Sequence, residues 1–175
     1  VTRGFTPALK EAGRLFEEGE YFVPELLVSA RASQAVFDII RPLLQRHGVQ
    51  PAGRIALGTV RGDVHDIGKN LVAAMLEGGG FAVEDLGVDV PPERFVAAVA
   101  GGQVDVVGLS ALLTTTMPAM KTTIDALRAA GVRERVKVVV GGAPLSAAHA
   151  QAIGADGYAE NAASAVGLVC RLLGT

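Results

Sequence analysis

The sequence predicts an α/β fold in which a doubly wound sheet of five parallel strands, with flavodoxin-like strand order, follows a partial helical bundle. From Gly53 onward, short runs of Val, Ile and Leu alternate with segments of helix length. Strands that are apolar on both faces are typical of a parallel sheet covered by helices on both sides. Before that point, apolar residues recur at helical spacing. We therefore expect a helical cap over residues 1–50 and an α/β domain over residues 51–175.

Two helices are predicted in the cap. The first ends within residues 17–20, which include Gly19, and the second has Pro24 in its first turn and ends at Gly48. The apolar face of the first helix comprises Leu9, Ala12, Leu15 and Phe16. Two helices cannot bury both of their apolar faces alone. They pack either on the rest of the chain or on helices outside this sequence, and the second alternative implies a truncated bundle.

The α/β domain is expected to contain five strands and five helices. The strands are predicted at 54–59, 82–86, 104–109, 136–140 and 157–159. The helices are predicted at 67–77, 92–100, 118–130, 147–153 and 162–173. In such sheets, ligands bind outside the carboxyl ends of the strands, beside the first strand. The segment that follows the first strand is therefore the expected place for the chemistry.

Composition restricts the possible partners. The net charge of −2 gives no basic field for nucleic acid or for an anionic membrane surface. The longest apolar stretch, residues 104–120, is interrupted by polar residues and falls short of the roughly 20 apolar residues of a spanning helix. Cys170 is the one cysteine and lies in an apolar run, so we expect a buried thiol. A soluble, cytoplasmic protein is predicted.

The segment after the first strand, residues 58–70, is a long polar turn that contains an Asp-x-His pair. A neutral imidazole at His65 is a good ligand for a transition metal. The carboxylate of Asp63 could accept the other ring N–H and so fix the tautomer. Gly68 would let a bulky group approach the following helix. The alternative is that Asp63 or Asp66 caps the helix while His65 is exposed in a loop.

Other kinds of site agree less well with this turn. It lacks the Gly-x-Gly-x-x-Gly of a dinucleotide site, and Gly68-Lys69 lacks the remaining residues of a phosphate loop. A zinc site needs three or four protein ligands, whereas His47 and His149 lie in other segments and are expected at the surface. A phospho-receiver domain shares the strand order but would not explain His65.

Three motifs occur in order at the ends of predicted strands: Asp63-x-His65-x-x-Gly68, Ser110-x-Leu112 and Gly141-Gly142. Together they resemble the cobalamin-binding signature of methionine synthase, mutases and corrinoid methyltransferase proteins. The resemblance covers nearly the whole chain and implies a Rossmann-like cobalamin-binding domain. The strings at residues 62–70 and 16–25 resemble the methyltransferase branch in particular.

The resemblance implies a cobalamin or related corrinoid bound base-off and His-on. His65 would be the lower axial ligand of cobalt, Asp63 would hydrogen-bond its other nitrogen, and the hydroxyl of Thr116 would continue this relay. The nucleotide tail of the cofactor would insert into the α/β domain. Further contacts to the cofactor are implied for Gly62, Val64, Asp66, Gly68, Ser110, Leu112, Thr114, Gly141, Gly142 and Ala162.

The cap resembles the helices that cover the methyl-bearing face of the corrin in this family, usually as a four-helix bundle. Phe16 and Val23 match its apolar contacts, and Leu26 lies one turn later. The alternative for each of these residues is ordinary core packing. Only the latter half of such a bundle is evident.

The function expected from the resemblance is that of a shuttle subunit. It would take a methyl group from a substrate-specific methyltransferase and deliver it to an acceptor methyltransferase. No catalytic residue independent of the cofactor is evident, so we expect a subunit of a methyltransferase system rather than a complete enzyme. The alternatives are a cobalamin-sensing regulatory module and a cobalamin-binding fragment of a larger methyltransferase or mutase.

Overall fold

The computed structural model describes residues 5–46 and 50–175. Its parallel sheet has the order β2-β1-β3-β4-β5, as the flavodoxin-like fold class predicts. The strands are β1 Arg54–Val60, β2 Ala82–Val90, β3 Val106–Ser110, β4 Lys137–Gly141 and β5 Gly157–Ala159. The helices are α1 Phe5–Glu17, α2 Val23–Arg46, α3 Ile67–Gly78, α4 Pro92–Ala100, α5 Met117–Ala129, α6 Ala147–Ile153 and α7 Ala162–Leu173, with a short 3-10 helix at Arg133–Arg135.

The core has two parts, one on each face of the sheet. Helices α4, α5 and α6 cover one face, where Phe95 and Ile124 are fully buried. Helices α3 and α7 cover the other face, and the cap helices join this side because Ala12 and Leu26 are buried with Ile55. The cap helices therefore pack on the rest of the chain, which is the first of the two expected alternatives. The division at residues 50 and 51 stays a prediction.

Several boundaries differ from the predicted ones. Strand β3 begins at Val106 rather than residue 104, and just before it the carboxylate of Asp105 accepts the backbone N–H of Arg54 at 2.8 Å. Strand β2 runs to Val90 rather than residue 86. Strands β1 and β4 and helices α3 and α5 differ by one residue at an end. The predicted end of α2 at Gly48 lies outside the described residues, as does His47.

Two irregularities in pairing lengthen β2 relative to β1. Arg54 pairs with Ala82, but the register shifts twice further along, so that Val60 pairs with Val90. Each shift corresponds to one extra residue on β2, as in a β-bulge. The extra length carries the end of β2 up to the turn that follows β1.

Two expectations concern the surface of the protein, the burial of Cys170 and the lack of a membrane-spanning helix. Cys170 is partly exposed rather than buried, because the side of α7 that carries it is not fully covered in the described part of the chain. Within residues 5–46 and 50–175, no helix combines the length and the apolar character that crossing a membrane requires.

Candidate functional site

His65 lies in the turn between β1 and α3, and both its backbone and its ring are held in place. The backbone N–H and the ring Nδ1 lie 3.0 Å and 2.8 Å from Oδ1 of Asp63. The hydroxyl of Thr59, at the end of β1, donates to the His65 carbonyl at 2.9 Å. The ring is 46% exposed. Its orientation is therefore fixed while its other nitrogen, Nε2, remains open to a ligand.

Asp63 is fully buried and connects the His65 turn to the loop after β3. Its Oδ2 accepts the backbone N–H of Leu112 at 2.7 Å and lies 2.7 Å from the hydroxyl of Thr116. The backbone N–H of Leu113 points to the same oxygen at 3.3 Å. The relay expected from Asp63 to Thr116 is thus present as a contact between side chains.

The carboxyl of Asp63 stays ionised. Burial alone would raise its pKa, but hydrogen bonds from the Leu112 N–H, the Thr116 hydroxyl and His65 hold the pKa well below its usual range. An ionised carboxylate only accepts hydrogen bonds. Nδ1 of His65 therefore donates to Asp63, and in a neutral imidazole the lone pair lies on Nε2. This is the tautomer that a metal ligand needs at Nε2.

The alternative interpretation of this turn was helix capping. Asp66 does occupy the N-cap position of α3, but its side chain makes no capping hydrogen bond to the helix. Asp63 directs its carboxylate to His65 and to the loop after β3 instead. The carboxylate of Asp63 therefore binds the imidazole of His65, and neither aspartate is seen to cap the helix through its side chain.

A cavity of about 510 Å³ opens beside His65 and runs between the sheet and helices α3 and α7. Its mouth is formed by the loops after β1, β3, β4 and β5, and its interior is apolar. Of the predicted contacts, those that line it are Phe16, Val64, His65, Asp66, Gly68, Ser110, Leu112, Gly141, Gly142 and Ala162. The three motifs, at the ends of β1, β3 and β4, therefore meet at one opening together with Ala162 after β5.

Other predicted residues are placed differently. Gly62 and Thr114 belong to the loops at the mouth but are not among the residues that line the cavity. Val23 is 42% exposed. Leu26, also on α2, is fully buried in the core on the cap side of the sheet. Of the three predicted cap contacts, the structure brings only Phe16 to the cavity.

The wall between β3 and β4 depends on Gly142. A Cβ built on this residue would lie 1.8 Å from the carbonyl oxygen of Ala111, and its φ of +140° disfavours any side chain. The main chain of the loop after β4 therefore approaches the main chain at Ala111 closely, and the Ala111 N–H donates to the Gly141 carbonyl at 3.3 Å. The contact with the cofactor that the motif implies for Gly141 and Gly142 stays a prediction.

The residues of the cavity interior were not predicted from the sequence. Leu57, Val106 and Val139 from three strands line it, together with Leu76 of α3 and Ala165 of α7. In the sequence these residues have the pattern of ordinary core strands and helices, so no signal distinguished them. The contact of Thr59 with His65 was not predicted either, although Thr59 is visible in the sequence as a polar residue in an apolar strand.

The residues of the site fit a corrinoid. Three exposed apolar side chains line the same cavity as His65: Val64 at 68%, Ile67 at 81% and Leu112 at 44%. A flat apolar macrocycle centred on His65 would cover such side chains, and the cavity beside them would receive an elongated tail. The donor is one oriented imidazole, a ligand type that cobalt accepts.

Fold and site together define a cobalamin-binding α/β domain with a helical cap. Two family models, each described as a B12 binding domain, match residues 53–167 and 1–41. The chain belongs to this B12-binding family, and its cofactor is a cobalamin-type corrinoid.

Relatives and solved structures agree with this assignment. The chain is 44% identical over 174 residues to dimethylamine corrinoid protein 1 of Methanosarcina acetivorans, across 99% of this chain and 82% of the relative. A crystal structure of a cobalamin-binding protein from Desulfitobacterium hafniense superposes with a TM-score of 0.87 at 38% identity, covering 97% of this chain and 80% of that one. A chain of the methanol:cobalamin methyltransferase complex of Methanosarcina barkeri superposes with a TM-score of 0.76 at 34% identity, covering 92% and 61%.

Proposed function

We propose that this chain is a methyl carrier that holds its corrinoid through His65 and works between two methyltransferases. The single observation that carries the proposal is the hydrogen bond of 2.8 Å between the buried Asp63 and Nδ1 of His65. A substrate-specific methyltransferase would load the carrier, and an acceptor methyltransferase would unload it. The kinship with corrinoid proteins of methyltransferase systems supports both partners.

The residues of this chain divide the work with the cofactor. When bound, the corrinoid supplies a cobalt ion that accepts and releases the methyl group. His65 would ligate its lower face, and Asp63 would strengthen that ligation by accepting the Nδ1 proton. Thr116 supports Asp63 in turn with its hydroxyl. The apolar cavity would take up the nucleotide tail and exclude water from it, with Ser110 and Gly141 at its mouth.

We propose that the cap, residues 1–50, covers the methyl-bearing face of the corrin. The support is Phe16, which reaches the cavity from α1. Because each partner enzyme needs access to the cobalt, the cap would have to move between encounters. Leu26 would act in the cap through packing, whereas Val23 is exposed and does not line the cavity.

The name of the relative from Methanosarcina acetivorans makes a methylated amine the first donor to test. We also propose a cytoplasmic location. The partly exposed, unpaired thiol of Cys170 suits a reducing compartment. Cell fractionation with an antibody against the chain tests the location, and recovery in an oxidising compartment would contradict it.

The test of the function begins with the visible spectrum of the protein reconstituted with cobalamin. The parent should show the base-off, imidazole-ligated spectrum, and His65→Ala should lose it. His149→Ala removes a histidine from α6, on the other side of the sheet, and should keep the spectrum. Imidazole ligation that persists in His65→Ala would refute the assignment of the ligand. Methyl transfer from dimethylamine with a cognate methyltransferase then tests the carrier itself.

A further inference from the structure

Asp89, near the end of β2, makes two hydrogen bonds to the turn that carries His65. Its carboxylate oxygen Oδ1 accepts the backbone N–H of Gly62 at 2.6 Å. Its own backbone N–H donates to the carbonyl of Asp63 at 2.9 Å. Two consecutive residues of the turn, just before His65, are therefore hydrogen-bonded to one residue of the neighbouring strand.

Two features of the backbone bring Asp89 to this contact: the register shifts of β2 and a positive φ. The two register shifts between β1 and β2 carry the end of β2 to the level of the turn. Asp89 has a φ of +51°, the one positive value among non-glycine residues in the described part of the chain. Residues with a Cβ adopt this conformation at a cost, and aspartate is among those that tolerate it best. Strained backbone of this kind is concentrated at functional sites.

Asp63 is hydrogen-bonded on both sides, to the loop after β3 and to β2. On the β3 side, the side chain of Asp63 is tied to the loop after that strand through Leu112 and Thr116. On the β2 side, the main chain of Asp63 is tied to Asp89. Since β1 lies between β2 and β3, the turn is anchored from both neighbours. Removing one anchor would let the turn shift and carry the imidazole with it.

We propose that Asp89 is a positioning residue for metal ligation: it acts through Gly62 and Asp63 to hold the His65 imidazole at the place where cobalt is bound. The proposal rests on the function proposed above. It deepens that function by adding a residue from a strand that the cobalamin-binding motif does not include. Asp89 itself is exposed at the surface and is not among the residues that line the cavity.

The experiment uses Asp89→Gly, which removes the carboxylate but suits the positive φ and keeps the backbone N–H bond to Asp63. Asp89→Asn retains an oxygen acceptor and tolerates the same backbone. Glu84→Gly is the matched control, because it removes an exposed carboxylate from the same strand where β2 pairs with Ala56, far from the turn. Thermal unfolding of each apoprotein confirms that the variants are folded before ligand is added.

The probe is aquocobinamide, a corrinoid without a nucleotide base, so that only the protein can supply the lower nitrogen. Its dissociation constant is read from the spectral change on imidazole ligation. Losing a hydrogen bond of ordinary strength should raise this constant about fivefold in Asp89→Gly. Asp89→Asn should remain within about twofold of the parent, and Glu84→Gly should be unchanged. In the reduced Co(II) state at saturation, electron paramagnetic resonance should show a smaller nitrogen-ligated fraction in Asp89→Gly alone.

Two results would overturn the proposal. The first is a constant and a nitrogen-ligated fraction in Asp89→Gly equal to those of the parent. The second is an equal loss in Asp89→Asn and Asp89→Gly, which would assign the effect to charge rather than to the hydrogen bond. A parent protein without imidazole ligation would instead contradict the proposed function, so the two failures are distinguishable.

Discussion

The ammonium group of Lys69 lies 2.6 Å from Oδ2 of Asp85, and the two side chains differ sharply in exposure. The side chain of Lys69, in the first turn of α3, is 1% exposed, whereas that of Asp85, in β2, is 46% exposed. Lys69 also donates to the side-chain oxygen of Asn70 at 2.7 Å. The buried cation therefore depends on Asp85 as its one charged partner in the hydrogen bonds described for it.

This asymmetry predicts unequal costs for removing the two partners. Asp85→Ala leaves an ammonium group buried without its counter-charge and should lower the free energy of unfolding by about 2 kcal/mol, less than for a fully buried pair because Asp85 is half exposed. Lys69→Met fills the same space without a charge and frees Asp85 to meet water, so it should cost less than about 1 kcal/mol. Urea denaturation of the apoproteins measures both. Equal costs would contradict the prediction.

The same pair predicts a dependence on pH. Burial would raise the pKa of Asp85, but the hydrogen bonds from Lys69 and from the backbone N–H of Gly87, together with the charge of Lys69, outweigh burial, and the pKa lies below its usual value. The folded state thus favours the ionised carboxylate. Its contribution is complete above the unfolded pKa of about 3.9 and is lost as the pH falls through the lower folded value. In urea denaturation between pH 6 and pH 3, Asp85→Asn should therefore lose less stability than the parent does. Glu84→Gln controls for the change in net charge, and a parallel decline in parent and Asp85→Asn would refute the prediction.

The hydroxyl of Thr116 gives a separate prediction about the ligand relay. Thr116→Val keeps the shape of the side chain but removes a donor from the buried Asp63, so the free energy of unfolding should fall by about 1–2 kcal/mol. Thr115→Val alters an exposed neighbour and should stay within about 0.5 kcal/mol of the parent. Corrinoid titrations should show weaker imidazole ligation in Thr116→Val only. Unchanged ligation there would limit the role of Thr116 to stability.

The two apolar cap residues Phe16 and Leu26 should behave differently. Leu26→Ala opens a space in a fully buried core position and should cost about 2–5 kcal/mol of stability, measured by urea denaturation. Phe16→Ala, at the cavity wall, should instead weaken corrinoid binding with a smaller loss of stability. Ligand titration of both folded variants makes the comparison. If Leu26→Ala weakened binding more than Phe16→Ala, the cavity would have been assigned the wrong cap residue.

The parts of the fold that follow from local pattern were accessible in the sequence. Continuous apolar runs predicted all five strands to within a few residues. The predicted β2 was too short, because the bulges that lengthen it depend on backbone conformation and leave no hydrophobic period in the sequence. The Asp63–His65 pair was accessible because both residues lie in one turn. Its connection to Thr116 came from the family resemblance.

Contacts that depend on the meeting of distant segments were not accessible. The cavity interior combines residues such as Leu57 and Ala165, each of which has the pattern of a core position in its own element. The contact of Asp89 with the His65 turn requires a register that no spacing in the sequence encodes. The packing of the cap on α3 and α7 likewise had an alternative that the sequence could not reject.

The contact of Ala111 with Gly142 affects how this protein could change its ligand preference. A Cβ at residue 142 would lie 1.8 Å from the Ala111 carbonyl oxygen, so this point of the entrance admits no larger residue than glycine. Adaptation to a corrinoid with a different lower base would then have to arise deeper, at positions such as Val106 and Val139, where one methyl group more or less alters the available length. The close contact at Gly142 would therefore stay constant during evolution, whereas the depth of the cavity could vary.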